Sequence, residues 1–128
     1  MNPNAKLWTD ALRSGEYQQT AGTMHRHTAI DHPTGHCCLG VACEVYSQAN
    51  PGRLSRYETR DWTKFTASDD PGGGSHDVLP GIVRDWLGLR TDEGEIEGGN
   101  TLTNLNDTGS TFDEIADIID AEPDGLFV

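Results

Sequence analysis

Between His25 and Cys43 the chain gathers all three of its cysteines and four of its five histidines. Gly35-His36-Cys37-Cys38-Leu39-Gly40 opens a helical pattern. Cys37 and Cys38 therefore stand where the positive end of a helix dipole favours thiolate. Paired with a distant histidine as base, that placement suits a nucleophilic cysteine. His76, followed by Asp77, is the distant candidate and His36 the local one. The chemistry would be that of a cysteine hydrolase or transferase. Against it, free cysteines usually fill cores, and His76 adjoins a glycine loop rather than a strand. Adjacent cysteines bridge each other only with strain, and an odd count argues against a disulfide framework.

Other combinations fall short of a site. His25, His27, His32 and His36 lie near the cysteines, yet His25-x-His27 and Cys38-x4-Cys43 are not structural zinc spacings, so no metal is expected. Asn104-x-Asn106-x-Thr108-Gly109 hints at a calcium loop, but Ile115 stands where a bidentate glutamate is needed. Leu102–Ala116 echoes the first half of a helix-turn-helix. The segment after Ile119 is too short for a recognition helix and carries no base for phosphate, so a packed helical hairpin is expected and DNA binding is not. Arg13, Arg26 and Arg60 could serve a small-nucleotide-sequestering protein. Asp113, Asp117 and Asp120 fall at i, i+4 and i+7, one stripe of a helix. That stripe is either a solvated face or a binding surface for a basic protein.

Four segments with helical periodicity would position these groups, each with boundary signals. The first places Leu7, Trp8, Ala11 and Leu12 inward, with Pro3 near its start and Gly15 after its end. The second, from about Cys37 to Tyr46, is apolar almost all round, as a central buried helix is. The third runs from Leu79 to Leu87 with Ile82, Val83 and Trp86 inward, Pro80 in its first turn and Gly88 ending it. The fourth covers Phe112–Asp120, opened by a Thr111/Glu114 capping box. A short helix over Thr101–Asp107 precedes it. Tyr17–Met24 and Arg56–Ala67 carry Thr, Tyr, Trp and Phe in partial alternation, which predicts a small antiparallel sheet or hairpin. The fold expected is α+β, a mostly helical single domain over 1–128. Residues 69–76 and 91–100 are expected as flexible loops and 122–128 as a C-terminal tail.

Charge divides the chain. Residues 1–60 have a net charge of +1 and residues 61–128 one of −13; the last 38 residues hold eleven acids and no base. Such a surface repels nucleic acid and anionic membrane and attracts basic proteins. No run approaches the ~20 apolar residues of a membrane span, and the first residues lack the pattern of a signal peptide. A cytoplasmic protein with reduced thiols and no cofactor is expected.

Four blocks carry a resemblance. They are Trp8-x2-Ala11-Leu12-Arg13-Ser14-Gly15-Glu16-Tyr17, then Cys37-Cys38-Leu39-Gly40-Val41. Leu79-Pro80-x2-Val83-x2-Trp86-Leu87-Gly88-Leu89 and Leu105-Asn106-Asp107-x-Gly109-x-Thr111-Phe112-x-Glu114-Ile115-Ala116 come after them in order. Together they resemble a family of small uncharacterised bacteriophage and prophage proteins. Met24–His36 and Gly72–Gly74 depart from the pattern. The resemblance implies a phage accessory protein in the bacterial host cytoplasm and brings no catalytic residue. The function expected is non-enzymatic binding of a host or phage macromolecule, a basic protein, through the acidic C-terminal surface.

Overall fold

The computed structural model of the chain describes residues 1–26, 35–67 and 78–128. The element order is α1 (Pro3–Arg13), β1 (His25–Arg26), β2 (Gly35–His36), α2 (Cys38–Ala49), β3 (Ser55–Glu58), β4 (Thr63–Thr66), α3 (Gly81–Leu87), α4 (Leu102–Asp107) and α5 (Phe112–Asp120). β1 pairs with β2, and β3 with β4, both antiparallel. The protein is therefore a small α+β fold, mostly helical.

Local signals account for the helices. Asn2 caps α1, its side chain accepting from the Ala5 N–H at 2.8 Å, and Pro3 takes the first-turn position where no donor is missed. Thr101 caps α4 by accepting from the Asn104 N–H. At α5 both halves of the capping box form, between the Thr111 hydroxyl and the Glu114 N–H and between the Glu114 carboxylate and the Thr111 N–H. α4 and α5 pack as a hairpin turned at Gly109 (φ 110°). The β3–β4 hairpin, with Arg56 opposite Phe65 and Tyr57 opposite Lys64, sits where the alternation predicts it.

α2 is the centre. It buries Cys38–Cys43, Val45 and Tyr46 and touches α1, α3 and α4. Trp8 lies fully buried against it and donates its indole N–H to the Cys38 carbonyl at 2.9 Å. Two expectations about facing change. Leu7 is 48% exposed, because α1 turns Ala5, Trp8, Thr9 and Leu12 inward instead. Trp86 is only half-buried, standing edge-on to Tyr46 at 5.3 Å, while Val83 and Leu87 fill the core.

Tyr17–Met24 is not a strand. It crosses the start of α2 as irregular chain, held by Thr20 N–H to His36 O (2.8 Å), His36 N–H to Gln18 O (2.8 Å) and Cys37 N–H to Met24 O (3.1 Å). The crossing is so close that a Cβ at Gly40 would lie 1.9 Å from the Met24 carbonyl oxygen. Only glycine permits that approach. Asn106, on α4, locks it. Its Oδ1 accepts from the Cys38 N–H (3.1 Å) and from Gln19 Nε2 (3.0 Å), and its Nδ2 donates to Thr20 O (2.8 Å).

The segments expected as a flexible loop and a tail are tied in by backbone bonds. Asp92 O accepts from Leu79 N–H, Gly94 O from Leu102 N–H, and Asp124 O from Glu97 N–H. Leu126 is fully buried, and Leu89 and Phe127 form an antiparallel bridge. An apolar side chain in the terminal segment is what draws it onto the body. Residues 69–76 lie outside the described residues.

Replacing Asn106 with Ala leaves the buried Cys38 N–H and Thr20 C=O without partners, at about 1–3 kcal/mol each. The expected loss is about 2–4 kcal/mol, read as a lower denaturant midpoint at unchanged slope. A midpoint within experimental error of the parent would show that the clamp contributes nothing.

Candidate functional site

The thiols sit in surroundings opposite to those a nucleophile needs. Cys37 is the N-cap residue of α2 and 3% exposed, and burial pushes its pKa up to about 12. Cys38 and Cys43 are fully buried, and the same desolvation raises their pKa well above the ordinary thiol value. Burial is the largest influence on each thiol and outweighs the helix dipole, because desolvation penalises the thiolate. Cys38 Sγ donates to the Leu102 carbonyl and Cys43 Sγ contacts Met24 Sδ at 3.8 Å. All three are free thiols. His76, their expected distant partner, lies outside the described residues, as do His27 and His32. Among the described residues no group of three His, Cys, Asp or Glu could hold a metal ion.

A polar cluster unforeseen in the sequence lies beside them. His36 Nε2 stands 3.1 Å from Glu44 Oε2. Arg56 pairs with the other oxygen of that carboxylate and lies over the Phe65 ring, 5.0 Å from its centroid. Tyr17 meets the imidazole edge-on at 5.3 Å. Glu44 is the sole charged residue of the mostly apolar α2, which was the available signal: a lone, largely covered carboxylate requires partners. Burial, then the positive charge of Arg56, pushes the His36 pKa down to about 4. Glu44 does not reverse this, because Arg56 already balances its charge. At neutral pH His36 is uncharged, and its Nε2–H donates to Glu44. The cluster ties the β3–β4 hairpin to α2 and β2.

The acidic stripe is divided. Asp117 and Asp120 both bind the Arg13 guanidinium, at 2.8 and 2.6 Å. Hydrogen bonds to Asp117 and then Asp120 raise the Arg13 pKa. Two of the three aspartates therefore fasten α1 to α5, and Asp113 remains exposed. Glu95 pairs with Arg90 and Glu122 with the N-terminal ammonium. Exposed Glu93, Glu97, Asp107, Asp113, Glu114 and Asp124 have no cationic partner among the described residues. Of the arginines considered for phosphate, Arg13 is committed to this pair and Arg60 is exposed beside the hairpin turn. The Arg26 side chain lies outside what is described.

A family model described as a domain of unknown function, DUF8296, matches residues 1–123. The chain belongs to the DUF8296 family. No curated protein and no solved structure matches it. The DUF8296 match spans α1 through α5, so the Asn106 clamp, the His36–Glu44–Arg56 cluster and the Arg13 pair all fall inside the family's domain. No described helix of this DUF8296 protein is long and apolar enough to cross a membrane.

The buried groups make two measurable differences. Cys37, Cys38 and Cys43 should react with a thiol reagent far more slowly in the native state than in denaturant. One thiol reacting at pH 7 as fast as a free cysteine would restore the nucleophile reading. His36 takes its proton near pH 6.5 when unfolded and near 4 when folded. The unfolded state binds more protons between those values, so stability should fall as pH drops from about 6.5 to about 4. His36→Gln keeps a donor for Glu44 and should flatten that slope; an unchanged pH dependence would assign the slope to other groups.

Proposed function

We propose that this protein is a non-enzymatic accessory protein that binds a basic protein through its acidic C-terminal surface. The observation that carries the reading is the charge left over after internal pairing. Residues 91–128 hold eleven acids and no base. Arg13, Arg90 and the N-terminus account for four of these acids. The exposed remainder has no cation beside it among the described residues. A merely solvated surface normally intersperses both signs. Fields of one sign speed the encounter with an oppositely charged partner and make binding weaken with salt. The ordered blocks that resemble those of phage and prophage proteins support a setting in the cytoplasm of an infected bacterium, where the macromolecule bound belongs to host or phage. The buried, raised-pKa thiols favour this reading over a cysteine hydrolase or transferase.

The test separates charge that binds from charge that holds the fold. Asp117 and Asp120 are unsuited to it, because their replacement also releases Arg13. Glu93→Gln, Glu97→Gln, Asp113→Asn and Asp124→Asn together remove four exposed charges without an internal cation and should shift stability by less than about 1–2 kcal/mol, surface changes being small. Affinity capture from bacterial lysate at low and high salt supplies the partner. The quadruple variant should then associate more slowly and with a shallower salt dependence than the parent. Identical association kinetics in the folded variant would overturn the reading.

A further inference from the structure

α1 and α2 do not close against each other along their whole length. Between them lies a groove of about 300 Å³. Its floor is apolar: Leu7 and Ala11 from α1, Val45 and Ala49 from α2. The two alanines leave the space that larger residues would fill. Leu7, 48% exposed, is the residue whose apolar type fits an inward face while its side chain stands at the surface. Glu16, Tyr17 and Gln48 complete the lining. Tyr17 is held by Gln48 Nε2 donating to its hydroxyl at 3.2 Å and by its edge contact with His36, so this wall is set before anything enters. Glu16 is exposed and has no cationic partner among the described residues, and α2 contributes no base.

We infer that this groove seats a short amphipathic basic helix of the partner protein, one apolar side chain lying on Leu7, Ala11, Val45 and Ala49 and a neighbouring Lys or Arg reaching Glu16. The inference rests on the proposed function and names where that partner docks. A volume of about 300 Å³ is at the lower end of ligand pockets and suits one Leu or Met with the methylene stem of a Lys. Helix-in-groove recognition uses this combination of an apolar stripe and a charged rim. Charge selects the occupant. Glu16 is the charged residue of the lining; it opposes an acidic helix and a second copy's own Glu16, and it favours a basic side chain. α1 packs against α5 as well as α2, so the helix that forms one wall of the groove also borders the acidic α5.

The probe is a synthetic Leu/Lys amphipathic peptide of about 15–20 residues, long enough to form a helix, with a Leu/Glu peptide of the same pattern as control. Titrated into the isotope-labelled protein, the Leu/Lys peptide should shift the amide signals of Leu7, Ala11, Glu16 and Gln48. Leu7→Ser and Glu16→Gln should each weaken binding roughly tenfold, with the signals of the core unmoved. Shifts confined to residues 91–128 would overturn the groove while leaving the acidic-surface reading standing. No shifts anywhere would overturn both. Equal binding of the Leu/Glu peptide, or a dimer in sedimentation that Leu7→Ser dissolves, would replace the basic helix with another occupant.

Discussion

The N-terminus of α2 is where the fold is decided. A helix buried on nearly every side still presents unpaired N–H groups at its first turn, and Cys37 at the cap position makes no side-chain capping bond. Asn106 supplies the acceptor from a helix far along the chain. With its remaining atoms it also holds Gln19 and the Thr20 carbonyl. Asp107 adds the Gly22 N–H, and Gln19 reaches the Ser110 carbonyl. One carboxamide and its neighbours thereby fix the crossing segment, the start of the central helix and the α4–α5 turn. Loss of Asn106 leaves the buried Cys38 N–H and the Thr20 carbonyl unmatched together.

Charge is distributed by the same inward logic. Against twenty-one acidic residues the chain has nine basic ones, and three arginines among them tie distant parts together. Arg13 joins α1 to α5, Arg56 satisfies Glu44, and Arg90 donates to the Gly125 carbonyl while pairing with Glu95. Arg13, Arg56 and the Arg90–Gly125 bond join parts distant in sequence rather than balancing the surface. These arginines serve the architecture, and the other acids exposed in residues 91–128 have no cation beside them among the described residues.

What the sequence made legible was local. The α5 boundaries, its capping box, the apolar character of α2 and the alternating hairpin rest on spacings within one turn or one strand, and each formed as read. Leu7 misled because an apolar residue at helical spacing need not face the core when Ala5 and Thr9 fit the contact better. Asn106 was in view as part of a Leu-Asn-Asp block, but its partners lie 68 to 87 residues away. Spacing along the chain says nothing about such pairs. The acidic stripe was read correctly as a helix face; that Arg13 would meet it depended on how α1 lies across α5. The His36–Glu44–Arg56 cluster joins β2, α2 and β3, and only the isolated Glu44 announced it.

The cap on α2 also imposes an order in time. Cys38 leaves the ribosome 68 residues before Asn106, an interval of about 3–14 s at roughly 5–20 residues per second. Through that interval the most apolar helix of the chain has no acceptor for its first turn and lacks the α4 surface that packs against it. α1, already made, can lay Trp8 against it, and the 17–24 segment can cross it, but neither can be locked. The nascent chain thus carries its stickiest element uncovered until Asn106 has emerged, and a chain cut short before Asn106 exposes it permanently.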